Sequence, residues 1–413
     1  MKISIQVLGS LGDVLPYVSL ALVLKARGID VAILAPRDFS ELIADYGIEV
    51  SETVEFSLAG WMKEAAERGT LSGPISFFRD WNRMIQPHID DVMSHCLEAG
   101  RDADLIVSNL ICAPARIAAE AHGLPFVLTA QQSVLSPTVE EPCAMMWRPW
   151  HGERFNRVGY GFVSMANRVI GRSLGRHRKR LGLGRQPAFS DLRSHLGKPL
   201  AKISSVPWPV MRERPRDWGA ADYLTAYPSL PVSKAGALSE EVQAFLDDGE
   251  APVYVGLGSL SGGHGDKLLG AAIDGLELAG RRGIIAGGLG TQIRSAPQSM
   301  LMVGREPHDV LFPRCAAVIH HGGAGTSDTC LRAGVPQILQ PHFLDQFWYA
   351  NRLEGIGVSP APLPSRDLSA GQVAEALEIA LSEECQVRAN AIGCEARAQN
   401  GAEDLAQTIL ETI

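Results

Sequence analysis

An apolar run from Ala316 to Ile319 stops at His320-His321-Gly322-Gly323-Ala324-Gly325, and a helix-compatible stretch begins at Thr326. Strand, glycine-rich turn and helix in that order restrict the fold more than any other feature of the chain. Glycines without Cβ atoms let the backbone approach a ligand closely, and the helix start adds the positive end of its dipole where an anion would sit. The segment reads as a phosphate cradle, with an ordinary tight turn as the alternative on these residues alone. Gly334-Val335-Pro336 and Asp345-Gln346 follow it.

Short apolar runs alternate with amphipathic stretches along both halves of the chain, the pattern of an α/β protein whose parallel sheets are covered by helices. In the first half the strand signals are Ile3 to Leu8, Val31 to Ala35, Asp104 to Ser108 and Phe126 to Thr129, with helices over Leu15 to Arg27 and Ala113 to His122. The second half repeats the theme with Val253 to Leu257, Gly283 to Ala286, Ala316 to Ile319 and Gln337 to Gln340, and with helices over Lys267 to Gly280 and Thr326 to Ala333. A chain of 413 residues exceeds one ordinary core. The expected division is 1–208, a linker at 209–231, 232–395 and a C-terminal helix at 396–413. Prolines between Val206 and Pro231 suit an exposed, irregular connection there. Two facing units would place a ligand site in the cleft between them.

The formal charge of −8 argues against a general nucleic-acid binder. Between Arg148 and Arg185, however, ten basic residues face one acid, Glu153. A solvated helix face is the plain reading; an anionic acceptor, an acidic partner or a peripheral contact with an anionic membrane are the sharper ones. No stretch of about 18 apolar residues occurs and no signal peptide is visible. Seven scattered cysteines without a CxxC fit a reduced, cytoplasmic chain without structural zinc.

Gly9-Ser10-Leu11-Gly12-Asp13-Val14-Leu15-Pro16 lies where the first strand hands over to the first helix, with Pro16 near the helix start. Asp13 reads either as an N-cap or as a general base at the mouth of the cleft. The two roles compete, because a carboxylate held by backbone N–H groups has a depressed pKa.

That loop, the run Val253-Tyr254-Val255-Gly256-Leu257-Gly258-Ser259-Leu260 and the segment His321 to Gln346 together resemble the nucleotide-sugar glycosyltransferases of the GT-B fold. The nearest branch is that of sterol glucosyltransferases and bacterial natural-product (macrolide, glycopeptide, polyketide) glycosyltransferases. The likeness spans residues 1 to 400 and is strongest from Glu306 to Val358. It implies two Rossmann-like domains facing an interdomain cleft, with acceptor binding in 1–208 and nucleotide-sugar binding in 232–395. It also implies that the C-terminal helix crosses back to the N-terminal domain.

By the same resemblance, His321 hydrogen-bonds the donor diphosphate while Gly323, Gly325 and Thr326 supply further donors. These groups would stabilise the departing nucleotide without a metal, and no cofactor beyond the donor is implied. Ser10 and Ser259 are phosphate-facing candidates, with ordinary turn serines as the alternative. Asp345-Gln346 matches the pair that grips sugar hydroxyls, which favours glucose, although users of deoxysugars also carry it. Arg305 and His308 occupy the base-binding region. Plant relatives stack a tryptophan at the Arg305 position, and their ribose-binding glutamate falls at Thr329, so UDP is favoured over TDP without being secured. Asp13 matches the catalytic base, and the aspartate that assists a histidine base in plant relatives falls near Asn109. The implied reaction inverts the anomeric centre and yields a β-glycoside.

Trp61, Met62, Phe77, Phe78 and Trp81, then Met145, Met146, Trp147, Trp150, Tyr160, Phe162 and Met165, crowd the N-terminal half. They suit adaptable walls for a hydrophobic small-molecule acceptor, with Trp61, Phe77, Phe78, Trp81, Met145, Met146 and Trp147 the foremost candidates; core filling is the alternative. A lipid or sterol acceptor at a membrane surface is the second function. A sugar-nucleotide epimerase of the same fold and a non-catalytic helper are disfavoured by the aromatic loops and by Asp13, His321 and Asp345-Gln346. Monomer and homodimer stay open.

Overall fold

The computed structural model describes residues 1–55, 86–146, 155–184, 193–231, 236–256, 263–287, 297–342 and 344–413. The strand signals resolve into two parallel sheets. In the first, β1 (Lys2–Gln6), β2 (Asp30–Pro36), β3 (Glu49–Val54), β4 (Leu105–Asn109) and β5 (Phe126–Ala130) are followed by a small antiparallel pair, β6 (Ser194–His195) and β7 (Lys198–Pro199). Strands β8 (Ala201–Val206) and β9 (Asp222–Ala226) complete it in the order β3-β2-β1-β4-β5-β8-β9. The second sheet joins β10 (Val253–Gly256), β11 (Gly283–Ala286), β12 (Met300–Val303), β13 (Ala317–His320) and β14 (Gln337–Leu339) in the order β12-β11-β10-β13-β14. Helices cover both faces, so the central strands are buried throughout: every residue from Ile3 to Gln6 and from Ala317 to His320 is inaccessible.

In each sheet the first strand lies inside, and the strand order reverses beside it, at β1/β4 and at β10/β13. Ligand crevices of open parallel sheets form outside the carboxyl ends of the strands at such switch points. The Gly9–Asp13 loop follows β1 and the His321–Gly323 turn follows β13. The topology therefore sets both glycine loops at switch points.

Three local expectations need correction. The first helix is Leu11–Ala26, not one beginning at Leu15, because Ser10 is its N-cap. Pro16 thus falls inside the helix rather than at its first position, and the carbonyl of solvent-exposed Gly12 loses its intrahelical donor. The connection assigned to 209–231 is irregular and largely exposed over 212–220 but contains a strand and several buried side chains. Asp222–Ala226 carries no proline and pairs in parallel with β8, while Val210, Met211, Trp218 and Tyr227 are buried. In the basic stretch, Arg178 is not on the surface: it is buried against Glu120 at 2.7 Å and donates to the Gly184 carbonyl at 2.9 Å.

Helices of the second half join it to the first. Helix Gly401–Glu411 packs on helix Leu11–Ala26 and on β9, where Leu405, Ala406 and Ile409 enter the same core as Ile3, Val18 and Ile33. Gly401 lies so close to Tyr227 that a Cβ would fall 2.1 Å from its carbonyl oxygen. Helix Gln346–Gly355 makes a second junction, its Trp348 and Tyr349 sharing a core with Val134, Cys143 and Tyr160.

Candidate active site

Asp13 is the third residue of its helix, and its Oδ2 accepts from the Ser10 N–H at 2.8 Å and from the Ser10 hydroxyl at 2.9 Å. Oδ1 has no partner among the described residues. Burial raises the Asp13 pKa above the ordinary carboxylate value, and the two Ser10 bonds pull it back. The side chain is thus neither an N-cap nor a fully neutralised carboxylate. Gly9 makes this geometry possible: its φ is +143°, and a Cβ there would sit 2.4 Å from Asp13 Oδ2. Ser10, expected to face phosphate, gives its hydroxyl to Asp13. Asn109 ties the neighbouring loop together, donating to the Leu8 carbonyl at 2.6 Å and accepting from the Cys112 N–H at 3.1 Å.

The paired histidines divide their work. His320, the last residue of β13, accepts the Gly322 N–H at Nδ1 (3.1 Å) and lies 2.9 Å from Gln337 Oε1 through Nε2, so Nε2 carries the proton. His321 is not claimed in this way: its buried Nδ1 has no hydrogen-bond partner among the described residues. Burial lowers the His321 pKa to about 4, which leaves a neutral imidazole at pH 7. A buried polar nitrogen without a partner is disfavoured by about 1–3 kcal/mol, which an incoming hydrogen-bonding ligand would relieve. Gly323 caps helix Ala324–Ala333, and a Cβ on it would stand 2.7 Å from His321 Nε2. Gly325 and Thr326 form the first turn of that helix, and Thr329 donates to the Gly325 carbonyl at 2.9 Å.

Asp345 stands at the start of helix Gln346–Gly355. Its pKa is pushed up to about 7, by burial first and then by the charge of Asp13, so the two carboxyls, one from each half, lie within electrostatic reach of each other. Gln346 is buried and accepts the His342 N–H at 2.8 Å through Oε1. His308 stacks on Phe312 at 4.4 Å and lies 2.9 Å from the Tyr254 hydroxyl; burial, then Arg305 and His321, lower its pKa to about 4. Arg305 is exposed.

Two tyrosines absent from the sequence reading belong to this crevice. Tyr227 is buried, its hydroxyl would be 2.9 Å from a Cβ on Gly325, and its pKa is raised by burial and then by Asp328 and Asp13. Tyr17, one turn after Asp13, lies 2.5 Å from the Thr129 hydroxyl. Nothing local in the sequence marks either one; Tyr227 in particular sits in the segment read as linker.

Of the acceptor candidates, Trp61, Phe77, Phe78, Trp81 and Trp147 lie outside the described residues, as do Met62, Trp150 and the donor candidate Ser259. Met145 packs on the main core and Met146 is half-buried. Tyr160 is a core residue, its hydroxyl 2.8 Å from Ser133 Oγ and donating to the Glu141 carbonyl at 3.1 Å. No cluster of metal-ligating side chains occurs among the described residues, and none of their helices is long and apolar enough to cross a membrane.

Residues 3–139 match the glycosyltransferase family 28 N-terminal domain, and residues 284–411 match the erythromycin biosynthesis protein CIII-like C-terminal domain. The vancomycin aglycone glucosyltransferase of Amycolatopsis orientalis is 30% identical over 432 residues, which cover 100% of this chain and 98% of that protein. The sterol 3-beta-glucosyltransferase UGT80B1 of Arabidopsis thaliana is 29% identical over 406 residues, 93% of this chain but 63% of the plant protein, so the chain spans just under two thirds of that relative. Among solved structures, the glycosyltransferase of kitacinnamycin superposes with a TM-score of 0.71 at 17% identity over 100% and 99% of the two chains. The glycosyltransferase VinC, solved in complex with DTDP, gives 0.66 at 19% over the same shares. Those two likenesses bear on the fold, which is GT-B; the full-length sequence similarity bears on descent. The chain belongs to the GT-B glycosyltransferases, among the relatives of the sterol and glycopeptide glucosyltransferases.

Proposed function

We propose that the chain is an inverting, metal-independent glycosyltransferase of the cytoplasm that moves a hexose to a hydroxyl of a hydrophobic small-molecule natural product. Glucose from UDP-glucose is the favoured donor, in line with two relatives named for glucosyl transfer; a TDP-sugar is the alternative, since VinC was solved with DTDP. The observation that carries this reading is the pair of glycine loops at the switch points of the two sheets, one presenting Asp13 held by Ser10 and the other the partnerless buried Nδ1 of His321.

Asp13 takes the acceptor hydroxyl proton as that oxygen attacks the anomeric carbon, and the bond from that carbon to the nucleoside diphosphate breaks on the opposite face. An α-linked donor then yields a β-glycoside. Charge growing on the leaving diphosphate meets the His321 imidazole, the Gly323–Thr326 helix start and the Thr326 hydroxyl. Neutral His321 contributes a hydrogen bond rather than a positive charge. Asp345 and Gln346 hold sugar hydroxyls, and Arg305 and His308 border the base. Incubation with UDP-glucose and a panel of apolar hydroxylated acceptors is the test. Asp13→Asn should lower transfer by at least a hundredfold, and undiminished transfer would sink the base assignment.

A second reading concerns where the acceptor is met. Helix Asn156–Ser173 and its flanks expose Phe155 (59%), Val158 (66%) and Met165 (44%) on a surface that also carries Arg172, Arg176, Lys179 and Arg180. Exposed apolar and basic groups on this helix and on the following helix Gly175–Arg180 suit the surface of an anionic membrane, and hence a lipid or sterol acceptor. Arg172→Glu with Arg176→Glu should reduce sedimentation with phosphatidylglycerol vesicles and raise the acceptor KM. If both stay unchanged, the membrane reading fails.

A further inference from the structure

Helix Gln346–Gly355 begins with the pair read as the sugar grip, and one turn later it leaves its own domain. The Tyr349 hydroxyl donates to the Gln131 carbonyl, and the Trp348 indole N–H donates to Glu141 Oε1 at 3.1 Å. Arg352 pairs with that same oxygen. Trp348 and Tyr349 are fully buried, packed edge-on at 4.9 Å, and Glu141 is 8% exposed. Glu141 and Gln131 both belong to the loop that follows β5, the loop that ends in Met145 and Met146.

That loop is also braced from within its own half. The Glu141 carbonyl accepts from Tyr160, Tyr160 meets Ser133, and the Ala144 N–H donates to the Ser133 carbonyl at 2.9 Å. The turn Ala144–Met146 touches both helix Asn156–Ser173 and helix Gln346–Gly355. One buried carboxylate oxygen thus receives a guanidinium and an indole N–H, each from more than 200 residues away. Such an arrangement transmits displacement, because a short helix and a braced loop shift as units and a buried carboxylate held by a charged donor and an indole N–H tolerates little separation.

We infer that Glu141 is a positioning residue, which fastens the acceptor-side loop 131–146 to the helix that begins with Asp345 and Gln346, so that occupation of the donor site sets the geometry of the acceptor loop. The inference rests on the donor reading of the C-terminal half. Glu141 acts through Trp348 and Arg352.

Hydrogen exchange of the loop tests it directly. In the parent protein, saturating UDP should slow exchange across 131–146 at least threefold. Glu141→Gln leaves half-buried Arg352 without its charged partner and is expected to fold less well, so the deciding variant is Glu141→Gln with Arg352→Met, which removes both charges. That double variant should bind UDP within twofold of the parent affinity, yet lose the UDP-dependent protection and at least fivefold in kcat with both substrates saturating. Protection retained, a kcat loss under fivefold, or a UDP affinity weakened beyond twofold would each overturn the coupling. Absence of protection in the parent despite UDP binding would overturn the coupling alone. Absence of any UDP or dTDP binding to the parent would overturn the donor reading, and the coupling with it.

Discussion

Replacing Ser10 with alanine removes one of the two donors that hold the Asp13 carboxylate, the hydroxyl at 2.9 Å from Oδ2, and leaves the backbone N–H at 2.8 Å in place. Both bonds favour the charged form and oppose the burial that raises its pKa. A hydrogen bond to a charged group is worth about 1.5 kcal/mol, and each 1.4 kcal/mol of differential interaction is about one pKa unit. Ser10→Ala should therefore raise the Asp13 pKa by about one unit. A base works only when deprotonated, so the acidic limb of kcat/KM against pH moves upward by the same amount. On that limb the variant is about tenfold slower than the parent, whereas well above it a more basic carboxylate keeps the rate equal or higher. The assay is initial-rate transfer from UDP-glucose between pH 4.5 and 9, with thermal melting at each pH to separate rate from unfolding. An acidic limb that stays in place or moves downward would refute the assignment of Asp13 as the base, or of Ser10 as the group that tunes it.

Gly323→Ala is compatible with the backbone, whose φ is −68°, but its Cβ would stand 2.7 Å from His321 Nε2. The imidazole must turn away, so UDP affinity by calorimetry should weaken about tenfold with little change in Tm; unchanged affinity would remove His321 from the diphosphate site. Asp345→Asn tests the carboxyl whose folded pKa is about 7. The folded parent holds a proton that the unfolded chain releases near pH 4, so its stability falls as pH rises from 4 to 7 by on the order of 4 kcal/mol. The Asn variant lacks this loss, and its Tm should gain on the parent from pH 4.5 to about 7 and then level off; parallel Tm profiles would refute the raised pKa. Gly401→Ala drives a Cβ into the Tyr227 carbonyl, which is backbone and cannot step aside. It should cost about 3 kcal/mol in denaturant unfolding, and a loss below about 1 kcal/mol would show that the C-terminal helix docks differently.

Much of this molecule is written locally. Apolar runs and amphipathic stretches mark the core strands and several helices because hydrophobic period reports which faces are buried, wherever the partner lies. The glycine turn after β13 and the Ser10–Asp13 pair involve residues within a few positions of one another, so a sequence window contains the whole interaction. The doubled histidine goes further only with tertiary contacts: His320 is claimed by Gln337, 17 residues away, and the His321 Nδ1 is left without a partner among the described residues. Strand β9 was hidden because its flanking prolines resemble a linker, while its pairing partner β8 lies outside any local window. Tyr227, Glu141 and the approach of Asp13 to Asp345 leave no local trace at all. They depend on which loops two separate sheets bring face to face, and chain topology and close packing decide that, not the period of the residues along the chain.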